Sequence, residues 1–184
     1  QAWEGGTLAT TVTEYRDGDG RLLATLAADY RRSIALPTYE FTDHRSGYRE
    51  GLRYAGGSYV VFSQEPGEGE RSRPLKSTEQ VFSCQGWHYY LVDNLDVLAR
   101  GKIGLSLVLP GLLDAFRFDV TQSSVQGSRI EARLVLHNWF FRLFTPKVRL
   151  VYDRQLGKLV EYEGISNIPD DAGKRQDVRI TYRY

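Results

Sequence analysis

From Lys102 to Leu136 the chain repeats with a period of two. Ile103, Leu105, Leu107 and Leu109 alternate with Lys102, Gly104, Ser106 and Val108; Phe116, Phe118 and Val120 alternate with Arg117 and Asp119; Ile130, Ala132, Leu134 and Leu136 alternate with Arg129, Glu131, Arg133 and Val135. Successive side chains of an extended strand point to opposite faces, so each run has one oily and one wetter side. Strands half-buried in this way belong to antiparallel sheets.

The first half reads in the same manner. Thr7 to Arg16 is rich in Thr, Val and Tyr and ends at Asp17-Gly18-Asp19-Gly20, with a second extended run from Arg21 to Tyr30. Two Asp-Gly steps tolerate the positive φ of a tight hairpin, so these strands are expected to pair antiparallel. Strands at Thr38 to His44, Tyr48 to Tyr54 and Ser58 to Gln64 continue a meander, separated by turns at Arg45-Ser46-Gly47 and Ala55-Gly56-Gly57. Glu65 to Ser77 collects Pro66, Gly67, Gly69 and Pro74 among charges and reads as a loop or movable flap. Beyond Leu136, Asn138 to Phe144 reads as a short apolar segment, and strands are expected at Lys147 to Tyr152, Leu159 to Ile165 and Asp177 to Tyr184.

One segment has a different period. Trp87, Tyr90, Leu91, Leu95 and Leu98 recur at spacings of three and four, with His88, Asp93, Asn94, Asp96 and Arg100 opposite and Gly101 as a stop. This predicts an amphipathic helix from about residue 85 to 100, with Ser83 as a possible N-cap and Gly86 weakening its start. About nine or ten strands with one apolar face each and one such helix must cover each other. The expected fold is mainly β (α+β): a strongly curved antiparallel sheet, an incomplete barrel, wrapped around the helix. No repeat or linker divides the 184 residues, which read as one domain, 1–184.

Composition narrows the partners. Hydrophobic residues make up 41% and charged residues 26%, an ordinary globular balance. The formal charge of +1 offers no global field for a polyanion, which disfavours nucleic acid. Between Arg129 and Lys158, however, seven basic residues (Arg129, Arg133, Arg142, Lys147, Arg149, Arg154, Lys158) face two acids, a net +5 that could meet an anionic membrane or protein partner. A solvated strand face explains the same residues. Cys84 is the single cysteine, so no intrachain disulfide forms. The chain contains no methionine and starts Gln1-Ala2-Trp3, and removal of a secretory signal peptide is the commonest reason for such a start, so export is expected. No run approaches the roughly 20 apolar residues of a spanning helix.

Catalytic and metal chemistry find little support. His44, His88 and His137 form no HxH or HxxxH spacing, and each reads as a strand-end or helix-face histidine. Cys84 and His88 stand four apart, but Gly86 lies between them and no oxyanion donor is visible. Asp17-Gly18-Asp19-Gly20 opens like a calcium loop, yet Arg21 and Leu22 occupy positions that need an acid and a glycine. Asp93 and Asp96 could pair for acid–base work or simply face water. No catalytic residue, metal ligand or cofactor is assigned.

Twelve Tyr, eight Phe and three Trp give a high aromatic content, most of which suits a core or cross-strand pairs. A curved sheet incompletely filled by its helix would leave an oily groove lined by Trp87, Tyr90, Leu91, Leu105, Leu107, Phe116 and Phe118, suited to an acyl chain or another apolar ligand.

Val151-Tyr152-Asp153, the run Leu159-Val160-Glu161-Tyr162-Glu163-Gly164-Ile165-Ser166-Asn167-Ile168, and Val178-Arg179-Ile180-Thr181-Tyr182, with Tyr15-Arg16-Asp17 and the Gly101-to-Pro110 strand, carry a resemblance. In pattern this chain resembles a group of uncharacterised bacterial envelope proteins whose sheet curls as in periplasmic lipoprotein carriers. The resemblance implies a half-barrel, a periplasmic or envelope location and an apolar ligand, and transfers no site residues. The expected function is a non-enzymatic envelope domain binding a lipid or similar apolar molecule. The alternatives are a module docking on a membrane or partner protein, and a hydrolase-type enzyme.

Overall fold

The computed structural model describes residues 1–138, 148–170, 173–174 and 176–184. Among these the chain is mainly β. The strands are β1 (Ala2–Glu4), β2 (Thr7–Arg16), β3 (Leu22–Asp29), β4 (Thr38–Asp43), β5 (Arg49–Ala55), β6 (Ser58–Gln64), β7 (Arg71–Pro74) and β8 (Val81–Phe82). After the helices α1 (Trp87–Asp93) and α2 (Leu95–Leu98) come β9 (Lys102–Leu109), a 3-10 turn at Pro110–Leu112, β10 (Asp114–Gln126), β11 (Arg129–Leu136), β12 (Val148–Asp153), β13 (Lys158–Ile165) and β14 (Asp177–Thr181).

The strands form two seven-stranded sheets, one in the order β1 to β7 and one in the order β14 back to β8. Pairing from β1 to β7 and from β10 to β14 is antiparallel throughout. Fourteen strands in two sheets thus replace the expected nine or ten in one, and neither order closes on itself among the described residues. Three of the additional strands are β1, β7 and β8, two to four residues long and too short to show alternation in sequence. β7 lies inside the segment expected to be a flap. It forms the margin of the first sheet, and all four of its residues, Arg71-Ser72-Arg73-Pro74, are exposed. The apolar segment Asn138 to Phe144 lies outside the described residues except for Asn138.

The chain divides into two compact units, Gln1–Trp87 with Leu107–Ala115, and His88–Ser106 with Phe116–Tyr184. The first unit is built on the β1-to-β7 meander. Its β2–β3 hairpin turns where Gly20 takes a φ of 83°. The Asp17 carboxylate there accepts the N–H of Asp19 at 3.1 Å and of Arg21 at 2.9 Å, an Asx-type turn that fixes the register. Ala24, Phe41, Leu52 and Val61 are buried at its centre, with Tyr15 edge-on to Phe41.

In the second unit, Val120 of β10, Ile130 and Ala132 of β11 and Leu150 and Tyr152 of β12 are fully buried, and so are Leu91 and Leu98 of the helices. The alternation read from sequence holds for β11 as far as Leu134, with Ile130, Ala132 and Leu134 buried, and is lost at Val135 and Leu136, which are both half-buried. In β9 it breaks at the end, since Leu107 and Val108 are both buried. No helix among the described residues is long and apolar enough to cross a membrane.

Candidate functional site

The helical segment of the second unit organises the site. The expected single helix is two pieces, because Asn94 leaves the helical region (φ −122°, ψ 25°) between α1 and α2. Its side-chain amide donates to the Tyr90 carbonyl at 2.8 Å, offering the backbone a local alternative to the helical ladder. At the start of the segment, Ser83 acts through its carbonyl and not its hydroxyl. That carbonyl accepts the N–H of Gly86 at 3.1 Å and of Trp87 at 3.3 Å, while Ser83 Oγ is buried without a hydrogen-bond partner among the described residues. Leu91, Leu95 and Leu98 face inward on the spacing read from sequence, and Val97 is 45% exposed.

Two polar ties fasten this segment to the strands beneath. His88 Nδ1 and the Tyr152 hydroxyl of β12 lie 2.6 Å apart. Burial holds the His88 pKa down to about 4 and pushes the Tyr152 phenol well up, so both are neutral near pH 7. At the other end Asp96 forms an ion pair with Arg154, just past β12.

The seven residues predicted to line a groove fall in both units. Tyr90, Leu91, Leu105, Phe116 and Phe118 belong to the second, Trp87 and Leu107 to the first. Leu91 is 0%, Leu105 1% and Phe118 7% exposed; Trp87 and Leu107 are also buried, and Tyr90 and Phe116 half-buried. Five of the seven are thus core positions within their own units, and the pocket found in the second unit is lined by other residues. In the second unit a pocket of about 480 Å³ is bounded by Val92, Asp93, Leu95 and Asp96 of the helical segment. Its remaining walls are Gly127 and Ser128 of the β10–β11 turn and Arg154, Gln155 and Gly157 of the β12–β13 turn. Leu95 both joins the buried helix row and lines this pocket. Sequence reading named Leu95, the two aspartates and, within the basic run, Arg154, but had no signal for Gly127, Ser128, Gln155 and Gly157, which reach the helix only through strand pairing.

The other residues considered for chemistry have separate partners. In the first unit Cys84 Sγ lies 3.9 Å from the Val108 carbonyl, and burial pushes its thiol up to about 12. His44 sits 3.1 Å from Thr25 Oγ1. In the second, His137 Nδ1 lies 3.0 Å from the buried Asp119 carboxylate, which also faces Lys102 at 3.5 Å. Among the described residues no three His, Cys, Asp or Glu side chains converge on a metal site. Of the basic run from Arg129 to Lys158, Arg142 and Lys147 lie outside the described residues. Arg149 is engaged by Glu131, Glu161 and Glu163, and Arg154 by Asp96.

Compared with known proteins, the chain is 30% identical to the histidine biosynthesis bifunctional protein HisB of Xanthomonas euvesicatoria pv. vesicatoria (strain 85-10), over an alignment of 175 residues. The alignment covers 89% of this chain and 44% of that protein, so the chain spans less than half of its relative's length. No protein-family profile matches the chain, and no solved structure does.

Proposed function

We propose that this chain is a non-enzymatic domain of the bacterial cell envelope that binds a lipid or similar apolar ligand between its helical segment and a β-surface bent as a half-barrel. The observation that supports this reading is the double role of Leu95. Its inner side continues the oily row of Leu91 and Leu98, and its flank, with Val92, opens on a pocket of about 480 Å³. That volume lies within the range of small-molecule sites. Its walls mix apolar and charged groups, which suits an amphipathic molecule whose tail lies along Val92 and Leu95 and whose head meets Arg154.

The Xanthomonas relative is named as a bifunctional protein of histidine biosynthesis. An enzymatic counterpart in this chain needs a reactive group, and a thiol held at about 12 and an imidazole held at about 4 are poor candidates near neutral pH.

Titration with a fluorescent fatty acid and native mass spectrometry of gently purified protein test the proposal. Saturable binding of one molecule per chain, abolished by Val92→Trp filling the pocket, is the expected result. No saturable binding, or binding untouched by that substitution, overturns it.

A further inference from the structure

A second pocket, of about 690 Å³, lies in the first unit and is lined by Asp29, Arg31, Arg32, Thr38, Arg53 and Tyr54. Three neighbouring strands assemble it. Asp29 ends β3 opposite Thr38 at the start of β4, and Arg53 and Tyr54 follow on β5, the next strand across. The segment leaving β3 adds Arg31 and Arg32. Three guanidinium groups and one carboxylate therefore share one concave surface.

The three cations differ in what holds them. Arg31 donates to Asp29 at 3.0 Å and to Glu4 at 3.2 Å, and Arg53 is clamped by Glu70. Arg32 makes no ion pair among the described residues. Its Cζ sits 3.8 Å from the centre of the Tyr54 ring, a contact that satisfies the face of a guanidinium and leaves its N–H edges for a further acceptor. An uncompensated, aromatic-backed guanidinium beside two others and a threonine hydroxyl offers donors from several directions. A tetrahedral phosphate has acceptor oxygens to match them, whereas a carboxylate presents two in one plane.

We infer that this pocket binds a phosphate group, with Arg32 as its principal ligand, Arg31 and Arg53 at its flanks and Thr38 as a neutral donor. The inference is independent of the apolar site, which lies in the other unit. The phosphate can belong to a soluble ester or to a lipid headgroup, and one experiment separates the two.

The full chain is titrated with glycerol 3-phosphate and, separately, with phosphatidylglycerol vesicles against phosphatidylcholine vesicles. Arg32→Gln and Tyr54→Leu are compared with Arg100→Gln, an exposed arginine of the second unit that makes the same charge change. Saturable glycerol 3-phosphate binding, weakened about tenfold or more by Arg32→Gln, less by Tyr54→Leu and unchanged by Arg100→Gln, supports a soluble ester. The same pattern with phosphatidylglycerol vesicles alone supports a headgroup. Absence of binding in both arms overturns the inference, as does an equal loss in Arg32→Gln and Arg100→Gln, which marks bulk charge. Circular dichroism confirms that each variant is folded.

Discussion

His88 and Tyr152 meet at 2.6 Å inside the second unit, joining α1 to β12 through a neutral imidazole and a neutral phenol. The unfolded chain takes up a proton on His88 near pH 6.5, while the folded chain holds this ring neutral down to about 4. Protons therefore favour the unfolded state within that window. The contribution is intact above pH 6.5 and drains away as pH falls toward 4. Urea unfolding at pH about 7.5 and about 5 should show the parent losing roughly 2 kcal/mol more than His88→Phe between the two. Equal pH slopes in both proteins contradict the buried, neutral ring.

Leu95 and Val97 stand two residues apart on α2 with opposite exposures, 7% and 45%. Leu95→Asp places a carboxylate at a buried position and should cost about 4 kcal/mol or more, a large share of a domain's net stability. Val97→Asp should stay within about 0.5 kcal/mol of the parent. A Leu95→Asp protein that melts like the parent would show that the helical segment is not internal.

Gly86 is required by a close approach. A Cβ there would lie 2.0 Å from the Ala35 carbonyl oxygen and 2.4 Å from its carbon, so the backbone of the preceding loop would have to shift. Gly86→Ala is expected to destabilise by about 3 kcal/mol. Gly18→Ala, where nothing lies within 4 Å of the new methyl, is expected to change stability by less than about 0.5 kcal/mol. Thermal melts of the two variants side by side check the contrast.

Arg149 lies among Glu131, Glu161 and Glu163 across β11, β12 and β13, and Glu161 also holds Arg179 of β14 at 2.8 Å. The hydrogen bonds from Arg149 to Glu131, and from Arg179 and Arg149 to Glu161, keep both carboxyls below their usual range. Arg149→Ala removes the cation shared by Glu131, Glu161 and Glu163, leaving Arg179 on Glu161, and should cost about 1–2 kcal/mol at low salt, shrinking as salt is raised. Arg53→Ala, which breaks one exposed pair with Glu70, should cost under about 1 kcal/mol. Denaturant midpoints across a salt series distinguish the two.

Several of these features are legible from sequence because local chemistry decides them. The Asp-Gly turn after β2, the inward row Ile130, Ala132 and Leu134, and the helix positions Leu91, Leu95 and Leu98 follow from turn residues and periodicity. The division into two sheets is not local. It rests on pairings such as Val61 with Arg73, in which a strand of Arg, Ser and Pro looks like a loop until its partner is known. The break at Asn94 likewise needs the Tyr90 carbonyl to be seen accepting its amide. The site followed the same division: Trp87, Leu91, Leu105, Leu107 and Phe118 are recognisable as inward-facing, but periodicity cannot tell a lining from a filled core. Both pockets are instead walled largely by residues of turns and strand ends, Ser128 and Gln155 in one and Arg31 and Arg32 in the other.

The wet outer strand β7 also bears on how the molecule behaves when crowded. A second polypeptide seeking to lengthen the first sheet there must strip water from two arginines and meets, at Pro74, a residue with no N–H to give. Growth of the layer is blocked on that flank by solvation and by a missing donor. Replacing Arg71, Arg73 and Pro74 with valine or threonine should turn a self-limiting border into a template for fibres.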